Sequence, residues 1–224
     1  MYITDEETGK VVDLETGRLA PLAQSPKVQI ATSEQRYLTT AETAKLIRAQ
    51  LKVHFPGTKF SVRSSVYSMG SSVSIHWTDG PTKKAVNLVV GPFAGRDFDG
   101  MIDLEYSVWA WLLPDGSAEF AYSSGTEGSM GVHSAFENPK PHPDAELVHM
   151  GAGYVHTTRH YSAAVYRAAL ESVAKLYRLP MPELKTHEDG EPYITSGVYD
   201  ADWFHTTGDY PAGCVWRELK DKTL

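Results

Sequence analysis

A single cysteine, Cys214, in a chain of 224 residues excludes an internal disulfide framework and a cysteine-rich zinc site. A reducing cytoplasm is therefore the expected compartment. No apolar run approaches the roughly 18 residues of a membrane-spanning helix. The N-terminal sequence MYITDEETGK lacks the basic-then-apolar layout of a secretory signal, so neither export nor membrane insertion is expected. Positive charge is also short: 21 Lys and Arg face 28 Asp and Glu, a net charge of −7. That balance argues against wholesale nucleic-acid binding, yet it is far from the charge density of a DNA mimic. What remains is a composition with 42% hydrophobic and 22% charged residues, ordinary for a globular protein and ample for a full core.

No complete cofactor motif stands out. Glu7-Thr8-Gly9-Lys10 recurs as Glu15-Thr16-Gly17-Arg18, but no helix with a Gly-Lys-Ser/Thr start follows, so these glycines read as turns. They place a small β-hairpin around Lys10–Leu14. Asp97, Asp99 and Asp103 begin like a calcium loop but lack its later oxygen ligands, and read as turn carboxylates. His133, His142 and His149 have no metal-ligand spacing. The expectation is no metal and no cofactor.

Residues 1–36 read as an arm and linker, and 37–224 as one α+β domain. Thr39 and Glu42 form a capping box for a first helix with Ala44, Ile47 and Leu51 on its inner face, ended by Phe55-Pro56-Gly57. Phe60–Val66 and Val73–Trp77 alternate as two antiparallel strands around Met69-Gly70-Ser71, which brings Arg63 and His76 to one polar face. Asp79 and Pro81 read as the cap and first residue of a second helix carrying Val86, Val89, Val90 and Phe93. A third strand runs through Ile102–Val108, and Leu113-Pro114-Asp115-Gly116 returns the chain as Ala118–Tyr122. Residues 123–153, broken by glycine and proline, read as one long loop. Tyr154–Thr158 forms a strand, and Ser162 caps the longest helix, to about Tyr177. The expected architecture is an antiparallel sheet of about five strands packed on two or three helices, with an N-terminal hairpin arm.

Three sets of residues are candidates for function. Lys45, Arg48 and Lys52 stripe the first helix, with Arg63 nearby. This is a solvated face, or a surface for phosphates or an acidic partner. The tail carries Tyr199, Trp203, Phe204, Tyr210 and Trp216, which either complete the core over the long helix or form a partner surface. Arg48, Lys52, Arg63, Trp203, Phe204 and Trp216 are the candidate partner contacts. Finally, His156-Thr157-Thr158 and His205-Thr206-Thr207 are two copies of His-x-Thr. Paired on adjacent strands, such copies serve two-histidine phosphodiesterases, with one imidazole as base and the other as acid. His156, Thr158, His205 and Thr207 are the catalytic set on that reading.

Phe55-Pro56-Gly57, Phe60-Ser61-Val62-Arg63, Trp77-Thr78-Asp79-Gly80-Pro81 and Phe98-Asp99-Gly100-Met101-Ile102-Asp103 resemble a family of large polyvalent protein associated domains, the twenty-ninth class, found in phages, plasmids and other mobile elements. Arg159-His160-Tyr161-Ser162 resembles a later element of the same family. The resemblance covers Tyr37–Glu105 and Tyr154–Tyr177 and implies an α+β fold, with no catalytic residue to carry over. It implies an accessory protein that a mobile element expresses inside a bacterial host. With the acidic charge and the aromatic tail, the expected activity is binding of a host protein. The phosphodiesterase and a nucleic-acid-binding module through the basic stripe are the alternatives.

Overall fold

The computed structural model describes residues 2–4, 11–13, 35–123, 125, 136–188, 190–195, 204–205, 207 and 209–222. Two units divide the chain, Met1–Glu34 and Gln35–Leu224. In the first, β1 (Tyr2–Thr4) pairs antiparallel with β2 (Val11–Asp13). The hairpin expected around Lys10–Leu14 is thus displaced: the apolar pair Val11-Val12 supplies a strand whose partner lies upstream.

The second unit is α+β. It begins with β3 (Arg36–Tyr37), followed by α1 (Thr40–His54). Thr39 and Glu42 cap α1 reciprocally: Thr39 Oγ1 accepts the Glu42 N–H, and the Glu42 carboxylate accepts the Thr39 N–H. The Thr39 N–H and hydroxyl, both donating to the Glu42 carboxylate, hold that carboxyl below the usual range. β4 (Ser61–Tyr67) and β5 (Gly70–Thr78) form the expected hairpin. Alternation along β5 buries Val73, Ile75 and Trp77 and turns Ser74, His76 and Thr78 to the other face. α2 (Lys83–Val90) follows. Its cap is Thr82, whose Oγ1 accepts from Ala85 N–H, and not Asp79, which serves a different helix.

β6 (Arg96–Asp99), β7 (Leu104–Leu112) and β8 (Ala118–Ser123) run antiparallel in succession. Asp97 and Asp99 do act within a hairpin. Tyr106 Oη donates to Asp97 Oδ2, and Met101 N–H donates to Asp99 Oδ1, both at 2.9 Å. The stretch read as a long loop holds two strands, β9 (Phe136–Glu137) and β10 (Glu146–His149). β10 is interior to the six-stranded sheet β3-β10-β7-β8-β9, with β6 also on β7. The β3–β10 pairing is parallel, so the sheet is mixed where an antiparallel one was expected.

β11 (Tyr154–His160) joins β5 in parallel, giving a second sheet in the order β11-β5-β4. Ser162 caps α3 (Ala163–Tyr177), its Oγ accepting from Val165 N–H. β12 (Leu184–Thr186) and β13 (Pro192–Ile194) make a small hairpin, and α4 (Pro211–Leu219) closes the described chain.

Two cores result. Ala44, Ile47 and Leu51 of α1 meet Val73, Ile75 and Trp77 of β5, Val86 and Val90 of α2, and Phe93. Each fully buried aliphatic side chain here is worth about 1.5–3 kcal/mol. Ala169, Leu170, Val173 and Ala174 of α3 meet Cys214, Val215 and Leu219 of α4. Gly151, between β10 and β11, permits the close approach of that connection to the N-terminus of α1. A Cβ there would lie 2.2 Å from the Leu38 carbonyl oxygen and 2.6 Å from the Thr40 nitrogen. Its own backbone bonds Thr40 and Thr43 hydroxyls.

Candidate functional site

The last residues of β11 feed two concavities, because consecutive strand residues point to opposite faces. Arg159 lies on the inner face with Thr157, whose Oγ1 donates to Asn87 Oδ1 of α2 at 2.6 Å. His156, Thr158 and His160 lie on the outer face.

On the outer face, Thr158 is the register partner of His76. His160 Nε2 sits 3.2 Å from His76 Nδ1, with the rings 5.5 Å apart and 19° from parallel. His160 Nδ1 meets the Glu191 carboxylate, from the turn before β13. Both histidines line a cleft of about 880 Å³ with Gly57, Thr58, Lys59, Ser61 and Thr78. An ionised carboxylate only accepts, so His160 donates from Nδ1. Neutral His160 then accepts at Nε2, and His76 donates from Nδ1. The arrangement leaves neutral His76 with its basic nitrogen at Nε2.

On the other side, a groove of about 640 Å³ runs between α2, β11 and α4. It is lined by Lys83, Lys84, Leu88, Tyr161, Trp216 and Lys220, among others. Leu88 is 74% and Trp216 59% exposed, and the Lys220 ammonium lies 4.9 Å above the Trp216 ring.

The Arg159 guanidinium anchors both concavities. It donates to the carbonyl oxygens of Asp79, Gly80, Leu219 and Lys222 at 2.7–3.2 Å and covers the Tyr161 ring. The Trp77–Pro81 and Arg159–Ser162 segments, far apart in sequence, are thereby one structural unit.

The residues singled out from sequence are distributed differently. Lys45, Arg48 and Lys52 are exposed on α1, but Arg48 Nη2 donates to the Val62 carbonyl at 2.7 Å, binding the helix to edge strand β4. Its charge therefore supports the fold as well as facing solvent. Arg63 is exposed on β4, on the same face as His76, as alternation requires. Of the tail aromatics, Phe204, Tyr210 and Trp216 are exposed. The α3–α4 core is completed instead by Cys214, Val215 and Leu219. Tyr199 and Trp203 lie outside the described residues.

The two His-x-Thr copies do not occupy two strands. His156 and Thr158 are on β11, whereas His205 and Thr207 are helical. Thr207 Oγ1 bonds the Asp209 carbonyl at 2.8 Å and contacts Cys214 Sγ at 3.1 Å. The histidines that converge are His76 and His160. Sequence reasoning missed His160 and Glu191, although extending the alternation of β11 two residues past Thr158 would have put His160 on the same face as His156.

Among the described residues no group of His, Cys, Asp and Glu is arranged to hold a metal ion, and no helix is long and apolar enough to cross a membrane. The sequence model of the large polyvalent protein associated domain 29 family matches residues 38–162, more than half of the chain. The match is continuous through the 106–153 stretch, and it ends at Ser162, ahead of α3. Ser61, His76 and His160 lie within it; Glu191 and Trp216 lie beyond. No curated protein and no solved structure matches the chain.

Proposed function

This chain belongs to the large polyvalent protein associated domain 29 family, typical of the polyvalent proteins of mobile elements, and on that premise we propose that it is a phage- or plasmid-encoded accessory protein that binds a protein of its bacterial host. Its place of action is then the host cytoplasm. The observation that supports this reading is the α2–α4 groove, where Trp216 and Leu88 are exposed together among Lys83, Lys84 and Lys220. Exposed tryptophan on a concave, partly apolar surface is a common anchor of a protein interface. Lysines around it select an acidic partner segment and speed encounter. The partner chemistry that fits is an apolar side chain flanked by carboxylates.

A photo-crosslinking amino acid at position 88 of the full chain, expressed in host cells, tests the reading. A discrete host adduct is expected, identified by mass spectrometry and diminished by Trp216→Ala or by Lys83→Glu with Lys84→Glu. Loss of a tryptophan anchor of about 2 kcal/mol weakens binding roughly thirtyfold. No discrete adduct, or one indifferent to both sets of substitutions, would reject the groove as the contact.

A further inference from the structure

We propose that Ser61, His76, His160 and Glu191 form a catalytic relay that hydrolyses a carboxylic ester, with Ser61 as the nucleophile. The proposal rests on the outer face of the β11-β5-β4 sheet and is independent of the α2–α4 groove.

Three observations carry it. First, Glu191, His160 and His76 are linked ring to ring and ring to carboxylate, and with both rings neutral this chain leaves His76 basic at Nε2. Second, His160 stands on β11 and Ser61 on β4, on opposite flanks of β5. His76 turns Nδ1 to the β11 side, so its other ring edge faces the β4 side. There Ser61 is its direct register partner, and such partners hold their Cβ atoms about 4.5–5.5 Å apart. Third, Ser61, His76 and His160 line the same cleft, so a substrate placed against Ser61 meets His76 as well.

With Nδ1 engaged by His160, His76 offers one ring nitrogen to a substrate, so the pair supplies a single base rather than the separate acid and base of a two-histidine phosphodiesterase. Glu191 offsets the positive charge while the proton is held, as the carboxylate of a serine triad does. His160 and Glu191 are positioning residues. Thr58, Thr78 and Lys59 line the cleft as donors for a developing oxyanion. The Asp79 carboxylate, also at the cleft, accepts the Ser162 N–H.

In the first step Ser61 Oγ bonds to the ester carbonyl carbon while its proton passes to His76 Nε2. The bond from that carbon to the alcohol oxygen breaks, and the alcohol leaves with the proton from His76. A water then attacks the acyl-serine, giving one proton to His76. The bond to Ser61 Oγ breaks, Ser61 recovers that proton, and the carboxylic acid departs.

Diisopropyl fluorophosphate and p-nitrophenyl acetate are the probes, applied to the full chain. Peptide mapping is expected to find the phosphoryl adduct on Ser61, and Ser61→Ala to remove it. His76→Gln should slow labelling and ester turnover about a hundredfold or more, the usual contribution of a positioned base. Glu191→Gln should lower kcat with KM little changed and should alter the pH profile, which a merely structural role would not do. Circular dichroism confirms that each variant folds, and His160→Gln carries the same test if His76→Gln does not. A folded wild-type chain unlabelled at Ser61, or labelling indifferent to His76→Gln and His160→Gln, would overturn the proposal.

Discussion

Asp79 Oδ1 accepts the backbone N–H of Ser162 at 2.9 Å, tying the start of α3 to the turn that follows β5. Ser162 is itself the cap of α3, so the two carry adjoining parts of one helix entry. Asp79 also holds φ at 57°, a left-handed conformation that Asp and Asn tolerate better than most side chains.

That pairing predicts an order of effects at position 79. Asp79→Asn keeps an acceptor and the left-handed tolerance, and should cost little. Asp79→Ala loses a charge-assisted bond and takes on backbone strain, together about 2–4 kcal/mol. Urea denaturation of the two variants gives the comparison. Equal midpoints for Asn and Ala would mean that the bond to Ser162 contributes nothing.

Arg159 should be irreplaceable by lysine. Its planar fork reaches four carbonyl oxygens from two separate segments, and a single ammonium cannot reproduce that geometry. Arg159→Lys leaves carbonyls of the α4 end unpartnered, at about 1–3 kcal/mol for each buried group lost. The expected result is release of α4 before global unfolding, seen as preferential proteolysis in the Pro211–Lys222 region. A variant as protease-resistant as the wild type would remove Arg159 from this role.

What could be read in advance follows the range of each signal. The Thr39–Glu42 box, the alternation of β4 and β5 and the Ser162 cap are local patterns, and all three appear in the structure. β10 escaped because Leu147 and Val148 are both buried. A strand covered on both faces shows no alternation, and three prolines just before it suggest a loop. Asp79 was given to the wrong helix because Pro81 reads as a first helical residue, whereas α2 starts two residues later behind Thr82, and Ser162 lies over eighty residues away in sequence. The His76–His160–Glu191 set depends on a parallel strand pairing and on a distant hairpin. No spacing rule in the sequence encodes either.

His149 gives a pH dependence of defined sign. Its half-buried ring lies 5.3 Å from Trp109 and 5.5 Å from Tyr37. Burial lowers its pKa, and the nearby Arg96 charge lowers it further, against a raising backbone hydrogen bond at Gly95. A group whose folded pKa is depressed binds its proton more readily in the unfolded chain. Its contribution to stability is therefore complete above the unfolded value of about 6.5 and is lost as pH falls from there through the folded pKa. His149→Phe retains an aromatic ring between Trp109 and Tyr37 without a titrating nitrogen. Thermal melts from pH 8 to pH 5 should show the wild type losing more stability below about pH 6.5 than this variant does. The difference between the two curves isolates His149 from the carboxylates that titrate lower. Parallel curves across that interval would mean that the ring is no harder to protonate folded than unfolded, and that the packing of β10 against Trp109 and Tyr37 carries no acid sensitivity.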